Sequence, residues 1–295
     1  MTASISASGF TATLRDLVAL TKPRITLMVI ITTLGGLWLA PGEVSIVTIL
    51  ATLIATAMVV GAANTLNCWL ERESDAFMAR TKNRPLPSGR LDPRWALGLG
   101  LGLGAISVPV LTLVVNPLTG LLAAIALISY VWVYTPMKRR SPAALLVGSV
   151  PGALPPLMGW TAATGELSAP GIVLFGILFL WQLPHFLAIA IFREREYTKA
   201  GIKVMPAVRG VPRTKLHAAL YAGALVPVSL LLVPLGIAGT IYLSVAAALG
   251  VAFFVWSLVG LRAEAGNRWA RQLFLASLVY LPLLFAALAV DVAAS

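Results

Sequence analysis

The sequence predicts an all-α membrane protein, a bundle of nine transmembrane helices. Hydrophobic residues make up 59% of the 295 residues and charged residues only 11%, whereas a soluble domain has about 25% charged residues. Nine nearly uncharged stretches approach the roughly 20 residues that a helix needs to cross a bilayer. All 22 Lys and Arg residues fall in five clusters outside those stretches. This composition indicates an integral membrane protein with the lipid bilayer as its surroundings.

The nine predicted spans follow each other with short connections, except for two long loops after the second and sixth spans. The first span is shorter than the others. The spans run approximately over 25–40, 46–67, 95–115, 118–136, 143–163, 171–192, 216–235, 240–261 and 272–290.

The distribution of basic residues predicts the orientation in the membrane. The loops after the first, third, fifth and seventh spans contain no Lys or Arg, whereas the N-terminal segment and the alternate loops contain all of them. Basic loops stay in the cytoplasm, which predicts a cytoplasmic N-terminus and an extracytoplasmic C-terminus. The net charge of +11 therefore lies on one membrane face, and we expect no nucleic-acid partner.

The sequence predicts one transmembrane domain preceded by a tail. Residues 1–21 have neither a basic n-region before Arg15 nor an apolar run, so they do not resemble a signal peptide and predict a flexible cytoplasmic tail. Residues 22–295 form the domain. The two long loops resemble each other in charge and proline pattern, which favours a pseudo-repeat of about 22–140 and 141–261, plus a ninth helix.

A column of oxygen-bearing side chains lies at the cytoplasmic end of the second span. Asn67, Glu71 and Asp75 are four residues apart, so on a helix they cover about 80° of one face and rise about 12 Å. Asn64 extends the column one turn into the membrane. Polar groups inside a span are costly and usually functional. Such oxygen donors suit Mg²⁺, which proteins hold with one or two carboxylates together with substrate phosphates.

Basic residues follow the column directly. Arg80, Lys82 and Arg84 would donate charge-assisted hydrogen bonds to phosphate oxygens, and Lys138, Arg139, Arg140 and Lys199 are predicted on the same membrane face. Acidic residues that hold a metal and basic residues that hold an anion together suit a diphosphate. The alternative is a solvated helix face stabilised by pairs of opposite charge four residues apart.

Four segments carry a resemblance to a known family. They are "LTKPRITLMVIITTLGG", "NTLNCWLERESDAFMARTKNRPLP", "YTPMKRRSPAALLVGSVPGALPPLMGW" and "WQLPHFLAIAIFREREYTKAGIKVMP". The chain resembles the UbiA-type intramembrane prenyltransferases, and among them the branch that farnesylates heme. The resemblance covers about residues 22–206, and the last three spans match in hydropathy alone. It implies a UbiA-like helix bundle.

The resemblance also implies roles for individual residues. The first metal-diphosphate motif maps to Asn67, Glu71 and Asp75, and the second to Glu196, so these four are the candidate catalytic and Mg²⁺-binding residues. Cys68 and Ala200 stand where quinone-type members often carry Asp; Glu194 is an alternative ligand, and the number of Mg²⁺ ions stays open. The candidate diphosphate-binding residues are Asn64, Tyr134, Tyr197, Arg80, Lys82, Arg84, Lys138, Arg139 and Lys199.

The activity implied by the resemblance is a Mg²⁺-dependent transfer of farnesyl from farnesyl diphosphate to a vinyl group of heme b. Water addition then gives heme O, which is used in terminal oxidase assembly. The implied location is the bacterial inner membrane, and the implied partners are heme A synthase or terminal oxidase assembly factors, with a homo-oligomer left open. The alternatives are a quinone-precursor or other aromatic acceptor, or, in another class, a membrane carrier for organic anions.

His185 is a candidate heme-binding residue. It lies in "WQLPHF", about two turns inside the cytoplasmic end of the sixth span. Histidine is rare inside a span, so it is predicted either to contact the heme iron or a propionate, or to form a hydrogen bond with a neighbouring helix.

Overall fold

The fold is described from a computed structural model, which places residues 7–294 and the side chains of residues 13–294. Over these residues the chain is helical and contains no strand. Two helices continue as π-helical turns, α4 over Leu111–Val115 and α5 over Ser129–Tyr134. The helices are α1 Ala7–Leu20, α2 Pro23–Leu39, α3 Ile46–Asp75, α4 Pro93–Val110, α5 Pro117–Ile128, α6 Thr135–Met137, α7 Ala144–Thr164, α8 Ala169–Phe192, α9 Glu194–Lys199, α10 Met205–Arg209, α11 Val211–Leu230, α12 Thr240–Val259 and α13 Asn267–Ala294.

The ends of these helices follow from the local sequence. Proline occupies the first turn of α2, α4 and α5, where its missing N–H costs nothing. Asp92 caps α4 by accepting a 2.8 Å hydrogen bond from the backbone N–H of Arg94, and Asn116 caps α5 in the same way through Thr119. At the end of α7, Gly165 adopts a left-handed conformation with φ 73°, which glycine tolerates at a helix C-terminus.

The structure confirms the membrane class and part of the predicted span count. Six helices of the described chain are long and apolar enough to cross a membrane, and α1 with α2, bent by 45°, would add a seventh. Helices α7 and α11 also stand where spans are predicted, but they are not among the six. The count of nine spans is therefore not established by these helices alone.

Helix α7 lies at the centre of the bundle. Each residue from Ala153 to Ala162 is buried, and the helix packs against α2, α5 and α8. Because other helices shield it from lipid, α7 tolerates three internal prolines that a lipid-facing helix would leave with unsatisfied backbone groups. Helices α7 and α2 cross closely at Gly159, where an added Cβ atom would overlap the carbonyl oxygen of Thr33.

Most of the segment predicted as a flexible tail is helical. Helix α1 covers Ala7–Leu20, Asp16 forms a 3.3 Å ion pair with Arg90 of the loop between α3 and α4, and Leu20 is buried. The prediction missed this helix because its contacts are with distant residues, while the segment itself has no apolar run. Residues 1–6 of the predicted tail lie outside the described residues.

Candidate active site

Helix α3 carries the oxygen column beyond the membrane. It has 30 residues, which at 1.5 Å per residue is about 45 Å, longer than the roughly 30 Å hydrocarbon core. Helix α3 is therefore long enough for its C-terminal end to extend beyond the hydrocarbon core. Asn64, Asn67 and Asp75 are buried, and the Glu71 side chain is only 14% exposed. The column thus faces the protein, which argues against a simple solvated helix face.

Asn67 and Glu71 of the column are held by the segment that follows α5. The amide of Asn67 donates hydrogen bonds to Glu71 Oε2 at 2.9 Å and to Thr135 Oγ1 at 3.1 Å. Lys138 Nζ lies 2.6 Å from Glu71 Oε1. Thr135 in turn donates to the carbonyl of Tyr130. The π-helical turn before Thr135 is a local distortion of a kind often found at functional sites, and here it precedes the residues that bind the column.

Asp75, at the end of the column farthest from Asn64, is held by the loop between α3 and α4. Arg84 Nη1 lies 2.7 Å from Asp75 Oδ2, and Thr81 Oγ1 donates to the Asp75 carbonyl at 2.7 Å. Arg80 and Lys82 are exposed instead. Of the three basic residues predicted in this loop, only Arg84 is thus brought into contact with the acidic column.

Lys138 is further fixed by an aromatic ring. Its ammonium lies 4.5 Å from the centre of the Tyr134 ring, a favourable cation–π contact. Burial alone would lower the pKa of Lys138, but the neighbouring Tyr134 and Glu71 outweigh burial and raise its pKa above the usual value. Gly148 of α7 makes room for Tyr134, because a Cβ atom there would overlap the ring. Lys138 therefore stays charged at neutral pH.

The loop between α8 and α11 reaches the same region. The backbone N–H of Lys203 donates to the Lys138 carbonyl at 2.8 Å, which fastens the segment after α9 to the end of α6. Within α9, Glu196 Oε1 accepts a 2.8 Å hydrogen bond from Arg193. The other oxygen, Oε2, is buried and has no hydrogen-bond partner among the described residues. Tyr197 beside it is half-buried.

Two further predicted residues lie around a separate polar cavity. Arg139 and Lys199 are both exposed and line a cavity of about 340 Å³ together with Glu73 and Ser74 of α3. Residues of both long loops thus lie beside the end of α3. The lining residues do not include Glu71 or Asp75, whose charges are compensated by Lys138 and Arg84.

The predicted metal ligands do not form one compact cluster. In the described part of the chain, no three His, Cys, Asp or Glu side chains are placed to hold a single ion. Each carboxylate is instead paired with a basic residue, so the column and Glu196 are separate groups of oxygen donors. A pair of such groups still suits Mg²⁺, which needs only one or two carboxylates when phosphates complete its shell. The buried, unpartnered oxygen of Glu196 fits that arrangement.

Lys22 is a site residue that the sequence reasoning did not assign. It lies between α1 and α2 with φ 51°, the one positive φ of a non-glycine residue among those described. It interacts electrostatically with Cys68 and Glu71 of α3 and with Arg84 and Lys138, so it lies in the neighbourhood of the acidic column. Lys22 lies in the segment "LTKPRIT", which is part of the family resemblance. The spacing of residues on α3 could not show that a residue outside this helix approaches the column.

An apolar groove lies near the column. It has a volume of about 540 Å³ and runs between α2, α3 and α4. Thr21 and Pro23, the two neighbours of Lys22, line one part of it, and Gly61 of α3 lines another. The bundle therefore combines a charged end with an apolar space of the kind that a hydrocarbon chain requires.

His185 is buried in α8 and bonded to α13. Its Nδ1 lies 2.7 Å from Ser277 Oγ, so the predicted hydrogen bond to a neighbouring helix is present. Contact with heme stays a prediction.

The family-model comparison identifies the class of protein. Residues 29–278 match the model of the UbiA prenyltransferase family, and the chain belongs to this family. Its fold is similar to the solved structure of a digeranylgeranylglyceryl phosphate synthase, with a TM-score of 0.83 and 19% identity over 96% of this chain and 99% of that one. A UbiA homolog from Archaeoglobus fulgidus, bound to GPP and Mg²⁺, gives a TM-score of 0.67 and 17% identity over 93% and 99% of the two chains.

Two curated relatives indicate which branch of the family this chain is most similar to in sequence. A protoheme IX farnesyltransferase from Anaeromyxobacter sp. (strain Fw109-5) is 58% identical over 274 residues, which are 93% of this chain and 92% of the relative. Another from Anaeromyxobacter dehalogenans (strain 2CP-C) is 54% identical over 277 residues, 94% of each chain. The chain is thus a multi-pass membrane prenyltransferase, and these two similar proteins both carry the name of a heme-farnesylating enzyme.

Proposed function

We propose that this protein transfers the farnesyl group of farnesyl diphosphate to a vinyl carbon of heme b, forming heme O and diphosphate. The observation that carries the proposal is the column at the end of α3, in which Glu71 and Asp75 are buried and each is paired with a cation. The acceptor is inferred from the relatives, which are named protoheme IX farnesyltransferases.

Several basic residues around the column would bind the diphosphate, each in a different position. Lys138 and Arg84 provide positive charge for the phosphate oxygens, and Lys22 adds a third cation near the column. Stabilisation of the negative charge that develops on the leaving diphosphate lowers the barrier to breaking its bond to carbon. Arg139, Lys199, Arg80 and Lys82 would attract the anion at the cytoplasmic rim.

The donor groups on α3 and α9 are also the proposed magnesium ligands. Asn67, Glu71 and Asp75 on one side and Glu196 on the other would hold Mg²⁺, as the UbiA homolog from Archaeoglobus fulgidus was solved with GPP and Mg²⁺. When bound, Mg²⁺ supplies Lewis-acid stabilisation of the diphosphate. The Asn67 amide nitrogen donates hydrogen bonds to Thr135 and Glu71. The amide oxygen is therefore the atom that would coordinate the ion.

The proposed reaction balances in atoms and electrons. The bond between C1 of the farnesyl chain and the diphosphate oxygen breaks, and diphosphate leaves with the electron pair. The vinyl carbon of heme b attacks the allylic cation and forms a carbon–carbon bond. Water then captures the new cation beside the porphyrin ring and releases a proton. The apolar interior keeps water away from the first cation until the vinyl carbon attacks.

We also propose the topology that the sequence predicts. In this topology nine helices cross the bacterial inner membrane, with the N-terminus in the cytoplasm and the C-terminus outside. The clustering of Lys and Arg supports the orientation. The similar loops after the second and sixth spans support a pseudo-repeat, in which α3 and α8 each lead into one group of acidic residues.

The test is mass analysis of the product formed by the purified protein from heme b and farnesyl diphosphate, with and without Mg²⁺. We expect heme O only with Mg²⁺. Prenylation of an aromatic acid without any heme O would show that the acceptor is a quinone precursor. Movement of an organic anion across liposomes without chemical change, and no heme O, would instead indicate a carrier.

A further inference from the structure

Aromatic rings surround His185 between α8 and α13. The Trp181 ring stacks on the imidazole with ring centres 5.2 Å apart, and the rings of Phe186 and Phe274 lie at 5.1 Å and 4.9 Å. Trp181 also donates to the Ser277 carbonyl at 2.8 Å. The orientation of the imidazole is therefore restricted by its neighbours.

The hydrogen bonds of Ser277 decide which nitrogen of His185 carries the proton. Ser277 Oγ donates its one hydrogen to the Phe274 carbonyl, 2.6 Å away. A hydroxyl has no second hydrogen, so Ser277 Oγ must accept from His185, whose Nδ1 lies 2.7 Å away. Nδ1 is therefore the protonated nitrogen, and in the neutral ring Nε2 keeps a free electron pair.

Nε2 has no hydrogen-bond partner among residues 13–294, where the imidazole forms its one hydrogen bond through Nδ1. Four side-chain oxygen atoms in this part of the chain are fully buried without a hydrogen-bond partner, and Nε2 does not belong to that group. His185 as a whole is 9% exposed, so its side chain is not completely enclosed. A neutral imidazole with one nitrogen donating to a fixed acceptor and the other open is the form that binds metals.

We propose that His185 Nε2 ligates the iron of the heme substrate and that Ser277 is the positioning residue that holds His185 in the required tautomer. The inference rests on the proposed function, because heme is the acceptor there. His185 lies seven residues before the end of α8, about 10 Å along the helix. An iron–histidine bond at this depth would hold the porphyrin inside the membrane and limit it to rotation about that bond. The fixed iron would thus restrict which vinyl group reaches the farnesyl carbon.

The experiment is a titration of the detergent-purified protein with ferric heme b, without farnesyl diphosphate. Absorption spectra follow binding, and resonance Raman spectra of the reduced complex detect an iron–histidine stretch. We expect the wild type to show this band and His185→Ala to lose it, with a dissociation constant raised at least about tenfold. The matched control is His217→Ala, because His217 is the other histidine of the chain; it should behave like the wild type.

The role of Ser277 is tested by two substitutions that keep the histidine. Ser277→Ala frees the imidazole to change tautomer, so we expect a weaker iron–histidine band and binding weakened roughly tenfold. Ser277→Thr retains a hydroxyl and should restore the wild-type spectrum. In His185→Gly, added imidazole should restore the ligated spectrum, which a role in packing alone would not predict.

Two results would overturn the proposal: a wild-type complex without the iron–histidine band, or a band unchanged in His185→Ala. A Ser277→Ala complex identical to the wild type would overturn the role of Ser277. If the His185 variants fail to fold, the Ser277 pair still tests the inference, since both variants keep His185. The titration needs no turnover, so a protein that makes heme O without the band disproves this inference and leaves the proposed function intact.

Discussion

Thr135 shows how one hydroxyl organises the acidic column. It accepts a hydrogen bond from Asn67 Nδ2 and donates one to the Tyr130 carbonyl. Asn67 and Thr135 are 68 positions apart, so their spacing in the sequence gives no sign of the contact. The two hydrogen bonds of the Asn67 amide nitrogen fix the orientation of the amide, and therefore the direction of its oxygen.

We predict that Thr135→Val lowers turnover roughly tenfold, because loss of the hydroxyl lets the Asn67 amide rotate away from its position. Thr135→Ser keeps the hydroxyl and should retain most activity. The measurement is the rate of heme O formation at saturating Mg²⁺. Equal rates in the Val and Ser variants would contradict the role given to Thr135.

A second prediction concerns Asp75. Its carboxylate is buried and paired with Arg84, so Asp75→Ala should lower turnover at least about a hundredfold, the loss typical of a group that stabilises charge in the transition state. The matched control is Glu73→Ala, two residues away, where the side chain is 80% exposed and little change is expected. Thermal unfolding in detergent checks that both variants fold. Wild-type rates in Asp75→Ala would remove the residue from the site.

At the level of elements, helix packing through glycine determines where the site residues sit. Gly159 brings α7 against α2, and Gly148 accepts the Tyr134 ring that contacts Lys138. In the segment "GLGLGLG" of α4, Gly100 packs closely on Leu66 of α3. A Cβ atom added at Gly102 would meet no other atom within 4 Å, so glycine spacing alone does not reveal which glycines pack.

This difference gives a prediction about stability. Gly159→Ala forces a methyl group onto the Thr33 carbonyl, so we expect a loss of about 1–3 kcal/mol from overpacking. Gly102→Ala places its methyl group in open space and should be neutral or slightly stabilising, because alanine favours the helix over glycine. Thermal unfolding of both variants in the same detergent compares them. Equal melting temperatures would contradict the close crossing of α2 and α7.

At the scale of the whole molecule, the basic residues gather on one face while the apolar helices surround α7. The two long loops meet there, linked by the bond from Lys203 to Lys138, and both groups of acidic residues lie on helices that end at this face. An enzyme that joins a lipid diphosphate to a porphyrin needs such an arrangement, with charge at the surface and apolar space beneath it.

The topology predicts which loops a reagent can reach from outside. In a Cys68→Ala background, which has no other cysteine, single cysteines at Glu43 or Glu166 should react with a membrane-impermeant maleimide in intact cells with a permeable outer membrane. Cysteines at Ser141 or Glu264 should react only after the inner membrane is opened. Labelling of Ser141→Cys from outside would reverse the proposed orientation.

The sequence by itself determined the membrane class, most helix positions and the acidic column, because hydropathy and helical spacing act between residues close together in the chain. It also assigned Arg84 and Lys138 to the site. Only the tertiary structure decided that Glu71 pairs with Lys138, that Lys22 lies near the column, and that Ser277 sets the proton on His185. These contacts join residues of different helices, and they depend on how the helices pack, which no local pattern in the sequence encodes.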